Sequence, residues 1–319
     1  MGLTGREKFE VRCTEAVLSF SELLLHIPCF GVHRGIVKER GLCYGDGRRA
    51  KLDVYLPKAE GEKRPLFVYI HGGGFLSGIR SNRRFYCYNW VDEGFVAANI
   101  DYDYALAAEH PGHIRQIFKG IEFVLDRAEE YGIDRDRVVV AGDSAGGYFA
   151  AMVSAISVRR DLYGLLGIDF DYKDTFKVSA CVTLSGIFDP VRAVDTRYPQ
   201  MGLFTSVLLG KSRREVAAMK GDEALRVTYA ADARLTAEYP PVFVVASKYD
   251  RLKKESDDFT DELEAAGARH GYFLCTGING VHAGALACGL SRSGRECLAE
   301  AKKFVHEALV RSEAADGEK

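Results

Sequence analysis

Short, almost unbroken apolar runs recur along the chain with helix-patterned segments between them. This alternation restricts the fold more than any other feature. "PLFVYIH" (65–71), "FVAANIDY" (95–102), "RVVVAGD" (137–143), "VSACVTLSG" (178–186), "PVFVVAS" (241–247) and "GYFLCT" (271–276) have the pattern of strands covered on both faces. Between them, "HIRQIFKGIEFVLDRAEEYG" (113–132) repeats apolar residues at Ile114, Ile117, Phe118, Ile121, Val124 and Leu125, one face of a helix, with Gly132 as its C-cap. Residues 253–268 and 296–312 carry the same pattern. Residues 35–56 add two β-rich stretches around a "GDG" turn. The alternation is the signature of an α/β sheet.

Two segments stand outside the alternation. One is a helix-like block at about residues 7–30. The other is 187–236, about fifty residues between two strands and too long for a plain connection. Together they predict a cap over one end of the sheet; helices packed on the sheet's flank are the alternative. The expected organisation is an N-terminal cap segment 1–34, a main domain 35–312 with a cap insertion at about 187–236, and a disordered tail 313–319.

Charge and cysteine usage exclude several functions. The formal net charge is −2 and no Lys/Arg cluster stands out, which argues against a nucleic-acid partner. The eight cysteines, Cys13, Cys29, Cys43, Cys87, Cys181, Cys275, Cys288 and Cys297, form neither a CxxC pair nor a zinc-ligand spacing, so no metal is expected. They read as buried small hydrophobes in a reducing compartment. The start "MGLTGREKFE" is polar and shows no secretory signal, and Arg6 stands where a myristoylation signal needs Ser or Thr. The apolar stretch Ala16–Phe30 contains Glu22 and is too short to span a membrane. A cytoplasmic location is expected.

The chemistry centres on "VVVAGDSAGGYFAA" (138–151). Gly142-Asp143-Ser144-Ala145-Gly146 fits G-x-S-x-G at a strand-to-helix junction, the context of a nucleophile elbow. The helix from Ala145 would offer free N–H groups to a developing oxyanion. Alone, the pentapeptide fits equally a Ser N-cap at a glycine-rich turn. "YIHGGGF" (69–75) adds three glycines after the third strand, where an oxyanion loop belongs. Its other readings are a flexible loop or a phosphate cradle, but a cradle wants a following Lys-Ser/Thr pair and none is present. A serine nucleophile needs a base, and the base an orienting acid. Of the histidines after Ser144, His306 lies mid-helix and His270 precedes a strand at the far edge. His282 sits in a glycine-rich loop just after a strand, beside Ser144, and is the expected base. Asp250, three residues past a strand end, is the expected acid, with Asp189 as runner-up. Asp143 reads as a brace for the elbow.

"HGGGF", "DYALAAEHP" (103–111), "GDSAGG", "YDRL" and "VHAG" occur in that order. Over roughly residues 40–310 the chain resembles the hormone-sensitive-lipase-like branch of the α/β-hydrolases, the carboxylesterases and acetyl esterases. The resemblance implies an α/β-hydrolase fold with an eight-stranded, mostly parallel sheet and a helical cap. It implies Ser144, Asp250 and His282 as catalytic residues and the N–H groups of Gly73, Gly74 and Ala145 as the oxyanion hole, with Gly72 still open. Ala105 and Ala108 replace the family's Arg and Pro, Arg251 stands at a usual Pro, and Ala283-Gly284 replaces Gly-Phe after the His.

The implied activity is hydrolysis of a small-molecule carboxylic ester, with short acyl chains expected and no cofactor. Amide or formamide hydrolysis of the arylformamidase type and carbohydrate deacetylation use the same triad. A ligand-binding receptor on a hydrolase scaffold would lack the His. A homodimer is compatible with the sequence, which shows no interface.

Overall fold

The computed structural model describes residues 2–24, 33, 35–58, 61–233 and 235–317. One sheet is built from β1 (Ile36–Cys43), β2 (Lys51–Pro57), β3 (Arg64–Ile70), β4 (Val96–Ile100), β5 (Ile133–Asp143), β6 (Val178–Leu184), β7 (Val242–Ser247) and β8 (His270–Cys275). The strand order is β1-β2-β4-β3-β5-β6-β7-β8. β2 runs antiparallel to both β1 and β4, and every other pairing is parallel. The expected eight-stranded, mostly parallel sheet is thus present. Every residue of β4, β6 and β7 is buried, which accounts for their unbroken apolar runs. β5 begins four residues earlier than its apolar run, because Arg64 and Pro65 of β3 pair with Ile133 and Asp134 on the far side of a register shift.

The helices are α1 (Gly5–Leu24), α2 (Arg84–Val91), α3 (Gly112–Asp126), α4 (Ala128–Tyr131), α5 (Ala145–Val158), α6 (Asp161–Leu165), α7 (Pro190–Ala193), α8 (Met201–Leu209), α9 (Arg213–Ala218), α10 (Glu223–Tyr229), α11 (Lys253–Ala265) and α12 (Arg292–Gly317). They cover both faces of the sheet. Along β3, Leu66, Val68 and Ile70 join the core that holds α3, α5 and α11, whereas Phe67 and Tyr69 join the core of α2 and α12. Phe67 stacks on Trp90 at 4.5 Å between ring centroids. The expected helix 113–132 is two helices, broken at Arg127, and Gly132 takes the left-handed C-cap conformation. The last helix continues past residue 312, where a frayed tail was expected, to Gly317; residues 318 and 319 lie outside the described residues.

The segment 187–236 contributes α7 to α10, and α1 lies against α8. Arg213, at the start of α9, donates its backbone N–H to Glu7 Oε1 (2.9 Å) and reaches Glu10 with its guanidinium (2.8 Å). A capping box of Ser212 and Glu215 starts α9. At the other end of the segment, Arg226 bonds Asp189 and Asp232, and Arg192 joins Asp232 to Glu255 and Glu262 of α11.

The cysteine expectation needs one correction. Cys87, Cys181, Cys275, Cys288 and Cys297 are buried, but Cys13 and Cys43 are exposed. They lie on α1 and on the edge strand β1, all of whose positions are exposed or half-buried. Cys29 lies outside the described residues.

Candidate active site

The parallel strands β3, β5, β6, β7 and β8 end on one edge of the sheet, and the chemistry-bearing residues follow those ends. Ser144 comes directly after β5 with φ 51° and ψ −118°, a backbone conformation rare outside glycine. Its N–H donates to Leu184 O (2.9 Å) and its carbonyl accepts from Tyr148 N–H (3.1 Å). The neighbouring glycines make the corner passable. A Cβ on Gly142 would stand 2.3 Å from Gly146 O, and one on Gly146 would stand 2.0 Å from Ile70 O.

The two sequence readings of Ser144 now separate. Its side chain makes no capping hydrogen bond to α5. Instead Oγ lies 2.9 Å from His282 Nε2. The opposite ring nitrogen, Nδ1, lies 2.7 Å from Asp250 Oδ2. Nδ1–H donating to the carboxylate leaves the Nε2 lone pair facing the hydroxyl. The carboxylate of Asp250 is itself fixed, because Oδ1 accepts the Leu252 N–H at 3.0 Å. The His282 loop is held by the buried Asn279, whose amide donates to Gly284 O (2.7 Å) and Ala287 O (3.1 Å).

The other candidates stand elsewhere. Asp189 is the N-cap of α7, accepting from the N–H groups of Val191 and Arg192, and its second oxygen binds Arg226 at 2.7 Å. Both of its oxygens are engaged there, away from His282. His270 opens β8 at the opposite edge, and His306 on α12 lies 3.5 Å from Glu93.

The glycine loop after β3 also resolves. Gly72 donates its N–H to Asp143 Oδ1 at 3.0 Å. Gly73 and Gly74 have φ values of +128° and +61°. A Cβ on Gly73 would stand 2.2 Å from Ser77 O, and one on Gly74 would meet the Phe204 ring at 2.7 Å. Among the described residues, nothing accepts a hydrogen bond from the N–H groups of Gly73, Gly74 or Ala145. Backbone donors rarely stay unpaired without a purpose.

Asp143 is a brace. Its Oδ1 accepts from Tyr69 (2.9 Å), Gly72 N–H and Arg83 Nε (3.2 Å), and its Oδ2 from Arg83 (2.9 Å). Burial alone would raise its pKa. The Arg83 guanidinium, with the Tyr69 and Gly72 hydrogen bonds, outweighs burial and holds the carboxyl below its ordinary value. His71 packs flat on Tyr102 at 4.5 Å, with Nδ1 on Gly72 O (2.7 Å) and Nε2 3.3 Å from Asp101.

A cavity of about 240 Å³ opens onto Ser144 and His282. That is just below the roughly 300–1,000 Å³ of sites that bury drug-sized ligands. The wall facing the strand ends comes from Leu18 of α1 and from Tyr198, Met201 and Phe204 of the inserted segment. Sequence reasoning missed these four and Arg83. Their apolar or basic types mark them only as core or surface residues. Among the described residues, no group of three or more His, Cys, Asp or Glu is placed to hold a metal ion. None of the helices described is long and apolar enough to cross a membrane.

A doubly covered, mostly parallel eight-stranded sheet with a strained serine on the turn after β5 is the α/β-hydrolase fold. The BD-FAE family model matches residues 52–263, and the chain belongs to that family. The family and fold expected from the hormone-sensitive-lipase-like motifs therefore hold. The chain is similar to isoprenylcysteine alpha-carbonyl methylesterase ICME of Arabidopsis thaliana, with 26% identity over 75% of this chain and 55% of the relative. It is also similar to esterase LipC of Mycobacterium tuberculosis, 28% identical over 86% of this chain and 70% of the relative. Against curated methylesterase relatives it spans 50–60% of their length. Among solved structures, esterase B from Lactobacillus Rhamnosis superposes with a TM-score of 0.83 at 18% identity over 98% of both chains.

Proposed function

We propose that the chain is a carboxylic ester hydrolase that works through an acyl-enzyme. The observation that carries this reading is the line from Ser144 Oγ to His282 Nε2 (2.9 Å) and from Nδ1 to Asp250 (2.7 Å). Ser144 attacks the ester carbonyl while His282 takes its proton. Asp250 keeps the imidazole in the required tautomer and stabilises the imidazolium. The N–H groups of Gly73, Gly74 and Ala145 bind the oxyanion in this reading; the donation of the Gly72 N–H to Asp143 supports leaving Gly72 out. His282 returns the proton to the departing alcohol, then activates the water that releases the acyl group.

The N-terminal segment and the insertion at about 187–236 act as a cap in this reading. Leu18, Tyr198, Met201 and Phe204 support that role, since they wall the cavity opposite the strand ends. The small volume favours short acyl chains. The free thiols of the described residues favour a reducing, cytoplasmic setting.

Ser144→Ala tests the reading. It should lower kcat/KM on a short aryl ester by about 10⁴-fold or more while the thermal midpoint stays put. Retained turnover by that variant would overturn the mechanism. An aryl amide assayed beside the ester separates ester from amide hydrolysis.

A further inference from the structure

Tyr198 places its ring centroid 4.9 Å from that of His282, with the planes tilted by 53°. It follows a 3₁₀ turn (Val194–Thr196) and precedes α8. Its own N–H donates to Thr196 Oγ1 (3.2 Å), and its carbonyl accepts from Met201 N–H (3.0 Å). Two non-glycine residues that bracket it, Arg197 (φ 56°) and Gln200 (φ 62°), hold left-handed backbone conformations. Such conformations persist only where the surroundings over-determine them.

One of those surroundings is Arg251. It directly follows Asp250 and stands at the position where the sequence departs from the family's usual proline. Its guanidinium crosses from the acid loop to the inserted segment and donates to Arg197 O at 2.6 Å. The loop that carries the acid therefore also holds the turn that carries Tyr198. Burial, with the Asp250 charge second, pushes the Tyr198 phenol up to about 12, so it is neutral at working pH.

The reaction fixes which half of the ester meets this ring. His282 Nε2 takes the serine proton and hands it to the alcohol oxygen as the C–O bond breaks. The alcohol must therefore leave beside the imidazole, where Tyr198 stands. We propose that Tyr198 limits the size of the alcohol half of the ester, and that Arg251 is a positioning residue holding the turn that presents it. This inference rests on the ester-hydrolase reading above.

The test is a grid of esters that pairs acetyl and butyryl groups with ethyl, phenyl and naphthyl alcohols. Tyr198→Ala should shift the naphthyl-to-ethyl ratio of kcat/KM about tenfold toward naphthyl and leave the acetyl-to-butyryl ratio alone. Tyr198→Phe should keep the wild-type ratios. Arg251→Ala should shift the alcohol ratio in the same direction by about threefold, and Arg251→Lys should restore it. In the Tyr198→Ala background, Arg251→Ala should add nothing, since it acts through that ring. An unmoved alcohol ratio, a shift in the acyl ratio, or additive effects would overturn the inference. Fluorophosphonate labelling of Ser144 in the wild type reads the parent mechanism separately. Labelling with unmoved ratios sinks this inference alone, and absent labelling sinks the hydrolase reading.

Discussion

Arg83 grips Asp143 with two prongs, 2.9 Å to Oδ2 and 3.2 Å to Oδ1, one residue before Ser144. Tyr69 and the Gly72 N–H complete the carboxylate's shell. One buried ion pair therefore ties the elbow after β5 to the glycine loop after β3, the two places that must keep register for a serine and its backbone donors to face one carbonyl.

Arg83→Met should leave the Asp143 carboxylate, 1% exposed, without its counter-charge. The expected loss is about 3–5 kcal/mol, read from the urea midpoint. Replacing both partners with apolar residues should recover much of it. A single variant that unfolds with the wild type would show that the pair does not brace the elbow.

Asp250→Asn and Asp189→Asn should fail in different ways. The first should cut kcat/KM by about 10⁴-fold with little change in stability, because the imidazole loses its tautomer control. The second keeps the N-cap, because Asn caps a helix about as well as Asp, but takes the charge that faces Arg226. It should cost about 1 kcal/mol in stability through that weakened ion pair and spare the turnover of the molecules that remain folded. A crippled Asp189→Asn enzyme of normal stability would reverse the assignment of the acid.

Stability should fall on mild acidification. Burial drives His113 down to about 3 and His110 to about 4, from an ordinary value of 6.5. Below pH 6.5 the unfolded chain takes up protons that the native chain refuses, so stability is lost as pH falls through the window from 6.5 to about 4. The slope for two such groups approaches about 2.7 kcal/mol per pH unit. Neither ring nitrogen of His113 has a hydrogen-bond partner among the described residues. His113→Leu should therefore flatten the dependence of the urea midpoint on pH between 7 and 5. An equally steep profile in that variant would move the acid sensitivity elsewhere.

The sequence made the sheet legible because strands covered on both faces must be apolar at every position, as β4, β6 and β7 are. Ser144, Asp250 and His282 were legible for a topological reason: parallel strands end on one edge, so residues just past several strand ends lie close enough to meet, as these three do and Asp189 does not. Arg83 was not, because its partner lies 60 positions away and an arginine in "SNRRFY" has the look of a surface residue. The choice among the three glycines was hidden likewise, since Gly72 is occupied by a carboxylate 71 positions distant. Tyr198 and Phe204 escaped because the segment 187–236 follows no single period; which of its side chains reach the cavity depends on how its short helices pack, α8 against α1 among them. The helix break at Arg127 was masked by an apolar stripe that continues across it.

Phe204 touches the place where a Cβ on Gly74 would sit, and both residues line the cavity. Ser144, Asp250 and His282 all lie just past strand ends on the sheet's edge, and the wall across the cavity comes from Leu18 and from a stretch of chain leaving the sheet after β6 and returning before β7. A side chain at position 74 would therefore collide with the inserted stretch as well as strain the backbone, so that one glycine fits the loop after β3 to the surface it faces.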